Sequence, residues 1–242
     1  MSGHSKWSTI KHQKEATDKK RGKLFSRLSK MIAIAVREGG DENPDNNPKL
    51  RLALEKAREA NMPKDNIKRA IDRGVGRGSG QALETVIYEA FGPKNIALVI
   101  ESVTDNKNRT TSMIKSYIEK GGGRLGSAGA THYLFEKMGH ILVNKKKDVE
   151  AQMLDLMDAE VEDVVDEGDF IEVLTLSGTL HKITEEIKNK NYEVRESELF
   201  FNPKTLVSLR DKSDQKRVMK FLEGLDNLED IQQVYSNVDF VD

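Results

Sequence analysis

The spacing of the apolar residues changes at one glycine-rich run, and this change restricts the possible folds more than any other feature of the sequence. Before residues 74–80, the apolar side chains recur at helical intervals. After them, short stretches with the period of β-strands alternate with helical stretches. The run itself reads GVGRGSG, which is typical of a flexible linker. The sequence therefore predicts a helical domain in residues 1–80 and an α+β remainder.

Three amphipathic helices are predicted in the helical domain. The first covers residues 17–37 and ends at a pair of glycines. The second starts at Asn47 and Pro48, which form a cap and first-turn pair. The third starts at Pro63 and ends before the glycine-rich run.

The order of the elements after residue 80 predicts two α+β domains. Strands are expected at residues 85–91, 96–103, 132–135, 139–143, 171–176, 192–201 and 230–238, and helices at residues 110–120, 149–157, 180–188 and 214–223. The elements in residues 139–201 suit a small βαββαβ, or ferredoxin-like, unit. We therefore expect a domain of residues 137–203 inserted into a split domain of residues 81–136 and 204–242. The predicted fold class is a basic helical domain followed by two α+β domains, the third inserted into the second.

The formal net charge of −1 hides a strong separation of charge. Residues 1–80 carry a net charge of about +9 and the remainder about −10. A basic segment on an otherwise acidic protein indicates a polyanionic partner, and nucleic acid is the commonest such partner. We therefore expect the helical domain to bind nucleic acid.

The basic residues of the N-terminal arm and first helix are the first candidates for this contact. They are Lys6, Lys11, Lys14, Lys19, Lys20, Arg21, Lys23, Arg27 and Lys30, with His12 among them and only Glu15 and Asp18 to oppose them. Each cation that neutralises a phosphate releases a counterion, so affinity would fall steeply with salt. The alternative is a solvated helix face. Trp7 could stack on a base, and it could equally anchor a core.

A second candidate is the loop of residues 104–110, which joins a strand to a helix. Lys107 and Arg109, together with backbone N–H groups at the start of the helix, could bind a phosphate. The alternative is an ordinary helix cap formed by Asp105 or Asn108. The geometry of the loop decides between the two.

The glycine-rich run of residues 121–126 matches a dinucleotide-binding pattern only in its letters. It follows a predicted helix instead of a strand, which argues against a dinucleotide site. A tight turn is the better interpretation, with Arg124 as a further cation beside it.

The residues that carry chemistry give little support for catalysis. The histidines show no metal-ligand spacing, and no GxSxG nucleophile motif occurs. The absence of cysteine excludes disulfides, thiolate metal sites and cysteine nucleophiles. The sequence shows no secretory signal and no apolar run long enough to cross a membrane. We therefore expect a cytoplasmic protein that is not an enzyme and that uses no metal or cofactor.

Several motifs in the chain resemble those of the YebC family. They are Gly3, His4, Ser5, Lys6, Trp7; Asn61, Met62, Pro63, Lys64, Asp65; Tyr88, Glu89, Phe91, Gly92, Pro93; Thr104, Asp105, Asn106, Asn108, Arg109, Thr110; and Val234, Tyr235, Asn237. The resemblance implies three domains, one helical and two α+β, with the third inserted into the second. Members are described as DNA-binding transcriptional regulators and as translation factors. The translation factors include a mitochondrial activator of cytochrome c oxidase subunit one synthesis and bacterial factors that ease ribosome stalling at proline-rich stretches.

The residues and the resemblance together predict a non-enzymatic regulator of gene expression. The first expectation is a translation factor that binds rRNA or tRNA on the ribosome and promotes elongation through proline-rich sequences. It rests on the basic arm and on the lack of a recognisable DNA-reading helix. The alternative is a DNA-binding transcriptional regulator. A third possibility is that the α+β domains bind a small molecule or a partner protein. We expect a monomer that does not contact membranes.

Overall fold

The computed structural model describes residues 18–77 and 82–241, with side chains from Arg21 onward. In chain order the elements are α1 (Asp18–Gly39), α2 (Pro48–Glu59), α3 (Lys64–Gly74), β1 (Glu84–Phe91), β2 (Ala97–Thr104), α4 (Lys107–Lys120), β3 (Arg124–Leu125), β4 (Phe135–Asn144), α5 (Val149–Met157), β5 (Asp163–Asp166), β6 (Phe170–Leu176), α6 (Leu180–Asn189), β7 (Val194–Pro203), β8 (Val207–Leu209), α7 (Lys212–Asp226), β9 (Ile231–Ser236) and β10 (Val238–Phe240). Within the described ranges, no helix is long and apolar enough to cross a membrane.

The three N-terminal helices pack around a common apolar core. Its buried members include Leu28, Ile32, Leu50, Leu54 and Ala70. α2 begins as predicted, because Oδ1 of Asn47 accepts a hydrogen bond from the N–H of Leu50 at 3.1 Å and Pro48 occupies the first turn. The amide of Asn47 also donates to the carbonyl of Ala35 at 2.8 Å, so the cap ties α2 to α1.

The first sheet has the strand order β3-β1-β2-β9, and all its neighbours are antiparallel. β1 and β2 form a hairpin, whereas β9 comes from the C-terminal end of the chain and pairs with β2. α4 and α7 cover one face of this sheet. Their core contains Leu98, Ile100, Ile114, Ile118, Phe221 and Leu222. A short parallel pair, β8 with β10, lies beside it.

The second sheet has the order β5-β6-β4-β7 and is also antiparallel. Its chain order, β4-α5-β5-β6-α6-β7, is the βαββαβ arrangement expected from the sequence. α5 and α6 cover one face. Buried residues there include Ile141, Leu156, Val173 and Ile183.

The faces of the two sheets that lack helices pack against each other. Ala97, Val99 and Tyr235 of the first sheet join Phe200 and Phe201 of the second in one apolar cluster. The rings of Phe201 and Tyr235 meet edge to face, with centroids 5.2 Å apart. The predicted fold class is therefore confirmed, while the residue numbers of the domain boundaries stay predictions.

The strand expected at residues 132–135 is wrong, because His132–Leu134 forms a 3-10 turn and β4 starts only at Phe135. The carboxylate of Glu89 accepts hydrogen bonds from the N–H groups of Gly129, Thr131 and His132, each at 2.7 Å. These N–H groups bind a side chain instead of a neighbouring strand. Burial alone would raise the pKa of Glu89, but the three donors outweigh burial and lower it.

Four short strands, β3, β5, β8 and β10, were not expected from the sequence. β5 has the sequence DVVD, in which aspartates flank the two valines and only Val164 is buried. Aspartate is uncommon in strands, so β5 resembles a hydrated turn in sequence. β8 has three residues, too few to show an alternating pattern.

Candidate nucleic-acid interface

Part of the predicted interface lies outside the described residues. It consists of Lys6, Trp7, Lys11, His12 and Lys14. Lys19 and Lys20 belong to the first turn of α1, where the backbone alone is described. The contacts of all these side chains with nucleic acid stay predictions.

The cations further along α1 point into the protein. Nζ of Lys23 donates to the carbonyl of Asp226 at 2.5 Å and to Oδ1 of Asn227 at 2.8 Å. Nη2 of Arg27 donates to the same carbonyl and to Oδ2 of Asp226, the latter at 2.8 Å, and Nε donates to the carbonyl of Ile231 at 3.1 Å. Asp226 is the last residue of α7, so both cations bind the negative end of that helix dipole.

Lys30 continues the same stripe of α1 and reaches Asp230. Its Nζ lies 2.7 Å from Oδ1 of Asp230, whose side chain is 4% exposed. The other carboxylate oxygen accepts hydrogen bonds from Oγ1 of Thr110 at 2.6 Å and from Nη2 of Arg109 at 3.1 Å. We call Lys30, Arg109, Thr110 and Asp230 the Asp230 cluster. It joins α1, α4 and the segment that leads into β9.

The ionisation of Asp230 is controlled by this cluster. Burial alone would raise its pKa, but hydrogen bonds from Lys30, Thr110 and Arg109 outweigh burial and lower the pKa of Asp230 to about 2. The carboxylate is therefore charged at neutral pH. Lys30 and Arg109 are bound to this carboxylate, so their charges are compensated inside the fold.

The loop of residues 104–110 forms a helix cap. Oδ1 of Asn106 accepts a hydrogen bond from the N–H of Arg109 at 3.0 Å. The cap residue is therefore Asn106, and neither Asp105 nor Asn108 has this role.

The two predicted phosphate-binding side chains of this loop have different surroundings. Arg109 binds Oδ1 of Asp105 at 2.9 Å in addition to Asp230. Asp105 in turn lies 3.4 Å from Nη2 of Arg73 on α3, so the loop also contacts the helical region. Lys107 is exposed and has no ion-pair partner in the part of the chain that the structure describes. Of the two, Lys107 is the side chain left for a ligand.

Other exposed cations of the helical region face solvent. Arg21 is exposed, and its guanidinium lies 5.5 Å from the ring centroid of Phe25. Arg58, Lys64 and Lys68 are exposed without ion-pair partners among the described residues. None of these three was predicted from the sequence to bind nucleic acid. Lys64 and Lys68 are four residues apart on α3, a spacing that places them on one face and could have indicated them.

The described residues offer no metal site, since no group of three or more His, Asp or Glu side chains there could hold an ion. A shallow cleft of about 710 Å³ lies beside residues 145–148. Its cations are largely engaged, because Lys145 pairs with Asp166 and Lys146 lies 3.9 Å from the ring centroid of Tyr192. The exposed cations of the helical region are therefore the better candidate for binding a polyanion.

Two family profiles match almost the whole chain. The profile of the TACO1/YebC protein N-terminal domain matches residues 5–77, and that of the TACO1/YebC second and third domain matches residues 83–238. The chain belongs to the TACO1/YebC family. The resemblance that the sequence motifs indicated is thus confirmed.

Individual relatives align with this family member along their full length. A protein of Dictyoglomus turgidum, named a probable transcriptional regulatory protein, is 46% identical, and the alignment covers 100% of this chain and 97% of the relative. A protein of Halothermothrix orenii with the same name is 41% identical, with 100% and 96% covered. The crystal structure of a conserved hypothetical protein from Aquifex aeolicus is similar, with a TM-score of 0.89, 37% identity and 98% of both chains covered.

Proposed function

We propose that this chain is a regulator of gene expression that binds nucleic acid and does not catalyse a reaction. The names of the relatives, probable transcriptional regulatory proteins, support a role in gene expression. The first target that we propose is structured RNA on the ribosome, so that the chain acts as a translation factor.

The observation that carries this proposal is a set of exposed cations that have no ion-pair partner among the described residues. Lys23, Arg27 and Lys30 are bound internally. In the helical region and at the start of α4, the exposed cations without an ion-pair partner among the described residues include Arg21, Arg58, Lys64, Lys68 and Lys107. Exposed cations that meet no carboxylate raise the local potential, which favours a polyanion. The basic arm of residues 1–17 adds to the same part of the chain.

The distribution of these cations favours folded RNA over a DNA duplex that one α-helix of the protein would read. They come from α1, α2, α3 and the start of α4, a spread that suits contacts to the backbone of a folded RNA. Asp65 lies on the exposed first turn of α3, between Lys64 and Lys68. In a helix-turn-helix protein, that turn would carry residues that approach the DNA. A carboxylate there repels phosphates.

The second candidate is a DNA-binding transcriptional regulator, and one feature of the structure favours it. α2 and α3 are joined by residues 60–63 alone, a length typical of a helix-turn-helix. The first turns of α3 are also exposed. In this proposal α3 enters the major groove, and the acidic Asp65 accepts a hydrogen bond from a cytosine amino group.

A finer proposal comes from the family resemblance alone. Translation factors of this family ease ribosome stalling at proline-rich stretches, and we extend that role to this chain. Synthesis of a reporter that contains a proline-rich stretch tests it. The proposal expects the chain to raise the yield of that reporter and to leave a reporter without the stretch unchanged.

The experiment that tests the main proposal is sedimentation with purified ribosomes, in parallel with binding to duplex DNA, each at low and high salt. The test variant replaces Arg21, Lys64 and Lys68 by alanine. A matched control replaces Lys115, Lys182 and Lys188, which are exposed and lie on α4 and α6. The RNA proposal is supported if ribosome binding weakens with salt, and if it weakens in the test variant but not in the control. Binding to DNA alone, with the same dependence, supports the alternative, and binding to neither refutes both.

A further inference from the structure

The helix α7 presents an outward face of basic side chains. Lys212, Lys216 and Lys220 recur at intervals of four residues and so lie along one side of the helix. Arg217 adjoins this stripe. All four are exposed, and none has an ion-pair partner in the described parts of the chain. The opposite face of α7 is buried and contains Val218, Phe221, Leu222 and Leu225.

Arg217 borders a glycine loop of residues 121–123 at the end of α4. A Cβ atom added to Gly122 would lie 3.4 Å from Nη2 of Arg217, and the φ of Gly122 is +87°, which favours glycine. Arg124 follows the loop directly and is exposed, with its guanidinium 4.2 Å from the ring centroid of Phe91. Two arginines from different elements therefore border one loop.

The packing beneath the loop fixes its position relative to α7. A Cβ atom at Gly121 would collide with the ring of Phe221, and one at Gly92 would lie 3.1 Å from it. The hydroxyl of Tyr117 on α4 donates to the carbonyl of Phe221 at 3.0 Å. Phe221 lies one turn after Arg217 on α7. The contacts that hold Phe221 therefore also fix the backbone that carries Arg217, so the cationic surface is largely preformed.

The cations of this surface differ from those of α6, which lies in the same half of the chain. On α6, Lys182 pairs with Glu160 and Lys188 with Glu185, each at 3.0 Å. The four cations of α7 receive no such neutralisation among the described residues. They repel one another at close range, and a row of phosphates would remove that repulsion. This arrangement stands out because residues 81–242 are acidic as a whole.

We propose that the outward face of α7 and the adjoining glycine loop form a second phosphate-binding surface, formed by Lys212, Lys216, Arg217, Lys220 and Arg124. The surface contacts the backbone of the same RNA that the helical region binds, so this inference rests on the proposed function. Two separate surfaces on one strand raise the effective concentration of each for its own site. The chain therefore binds a folded RNA more tightly than either surface alone would.

The test measures binding of the full chain to a labelled fragment of ribosomal RNA over a series of salt concentrations. The variant replaces Lys216, Arg217 and Lys220 by glutamine. Loss of three phosphate contacts makes the negative slope of log affinity against log salt shallower by about 2. It also weakens binding roughly tenfold or more at moderate salt. The control replaces Lys115, Lys182 and Lys188 by glutamine, which removes the same charge elsewhere.

The outcomes separate this inference from the proposed function. A native chain that binds no RNA refutes the proposed function, and this inference with it. A native chain that binds with salt dependence, while the α7 variant keeps the full slope, refutes this inference alone. Equal losses in the α7 variant and the control also refute it, since net charge would then explain the effect.

A conservative variant checks that the effect comes from charge and not from damage to the fold. Replacing Lys216 and Lys220 by arginine keeps the cations, and we expect its salt slope to equal that of the native chain. If the slope falls in this variant as in the glutamine variant, the inference is wrong. The substituted side chains are exposed, so all three variants should unfold at nearly the native urea concentration.

Discussion

The helices α1 and α7 both carry a row of cations, but the row on α1 points into the protein and the row on α7 points towards solvent. On α1, Lys23, Arg27 and Lys30 bind carbonyl and carboxylate oxygens of residues 226–231 inside the fold. On α7, the row that starts at Lys212 faces solvent. The C-terminal end of α7 thus binds Lys23 and Arg27, while α7 presents its own cations along its side.

This difference shows that the spacing of cations along a helix does not reveal which partner they have. Both rows have a helical spacing, and the row on α1 lies in the more basic part of the sequence. What separates them is Asp226 and Asp230, which the chain brings to α1 from about 200 residues away. The cations of the more basic helix are therefore bound within the protein, and the less conspicuous row on α7 is the one that we propose to bind RNA.

The largest effect on this comparison is expected from Asp230→Asn. The substitution leaves Lys30 in a buried position without its counter-charge, which should lower the free energy of unfolding by about 3 kcal/mol. Urea unfolding measures it. The control is Glu229→Gln, because the side chain of Glu229 is exposed and only its backbone carbonyl contacts Lys30. If the two variants lose equal stability, the Asp230 cluster does not stabilise the fold.

The next effect is the response of the native chain to acid. The folded-state pKa of Asp230 is about 2, below the value of about 4 in an unfolded chain, so this group stabilises the fold above pH 4. The contribution, about 2 kcal/mol, is lost as the pH falls from about 4 towards 2. We expect the urea midpoint of the native chain to fall over that range more steeply than that of Asp230→Asn. Parallel curves would contradict the assignment.

A direct comparison of the two rows comes next. Arg27→Ala removes hydrogen bonds from a charged group to Asp226 and Ile231 and should cost about 1.5 kcal/mol. Arg217→Ala changes an exposed side chain and should change the free energy of unfolding by less than about 0.5 kcal/mol. RNA binding should show the reverse order. If Arg217→Ala destabilises the chain as much as Arg27→Ala, the distinction between inward and outward rows fails.

A smaller loss of stability than that of Arg27→Ala is expected at Lys56, another inward cation of the helical region. Its Nζ lies 2.5 Å from Glu198 and 3.6 Å from Glu196 on β7. Burial lowers the pKa of Lys56, but the two carboxylates outweigh burial and raise it. Lys56→Met should cost about 1 kcal/mol at neutral pH and less as the pH rises through the raised pKa of Lys56, where the ammonium loses its proton. A cost that does not change with pH would show that packing, not charge, dominates at this position.

Much of the fold could be predicted because its signals are local. The helix at residues 149–157 has the predicted limits, and Asn47 caps α2 as expected. The strand predicted at residues 132–135 does not form at its start, because Glu89, far from it in sequence, binds the N–H groups of Thr131 and His132. β5 was not predicted, because an edge strand with little buried surface can carry aspartates.

The candidate interface was harder to predict than the fold. The basic composition of the helical region was evident, but the direction of each side chain depends on contacts made across the whole chain. Arg109 fits a phosphate-binding loop in sequence, yet Asp230 binds its guanidinium at 3.1 Å. Lys64 and Lys68 were not predicted as binding residues, because the basic run before them in the sequence is denser. All three side chains are exposed, and what distinguishes Arg109 is its ion pair with Asp230, a contact that the sequence does not reveal.

The position of β9 has a consequence for the order in which the protein folds during synthesis. The first sheet stays incomplete until Ile231–Ser236 has emerged from the ribosome, whereas the second sheet is complete at Pro203. The oxygens that bind Lys23, Arg27 and Lys30 belong to the same late segment. A nascent chain therefore exposes the row of α1 cations until residues 226–231 have been synthesised and can bind them.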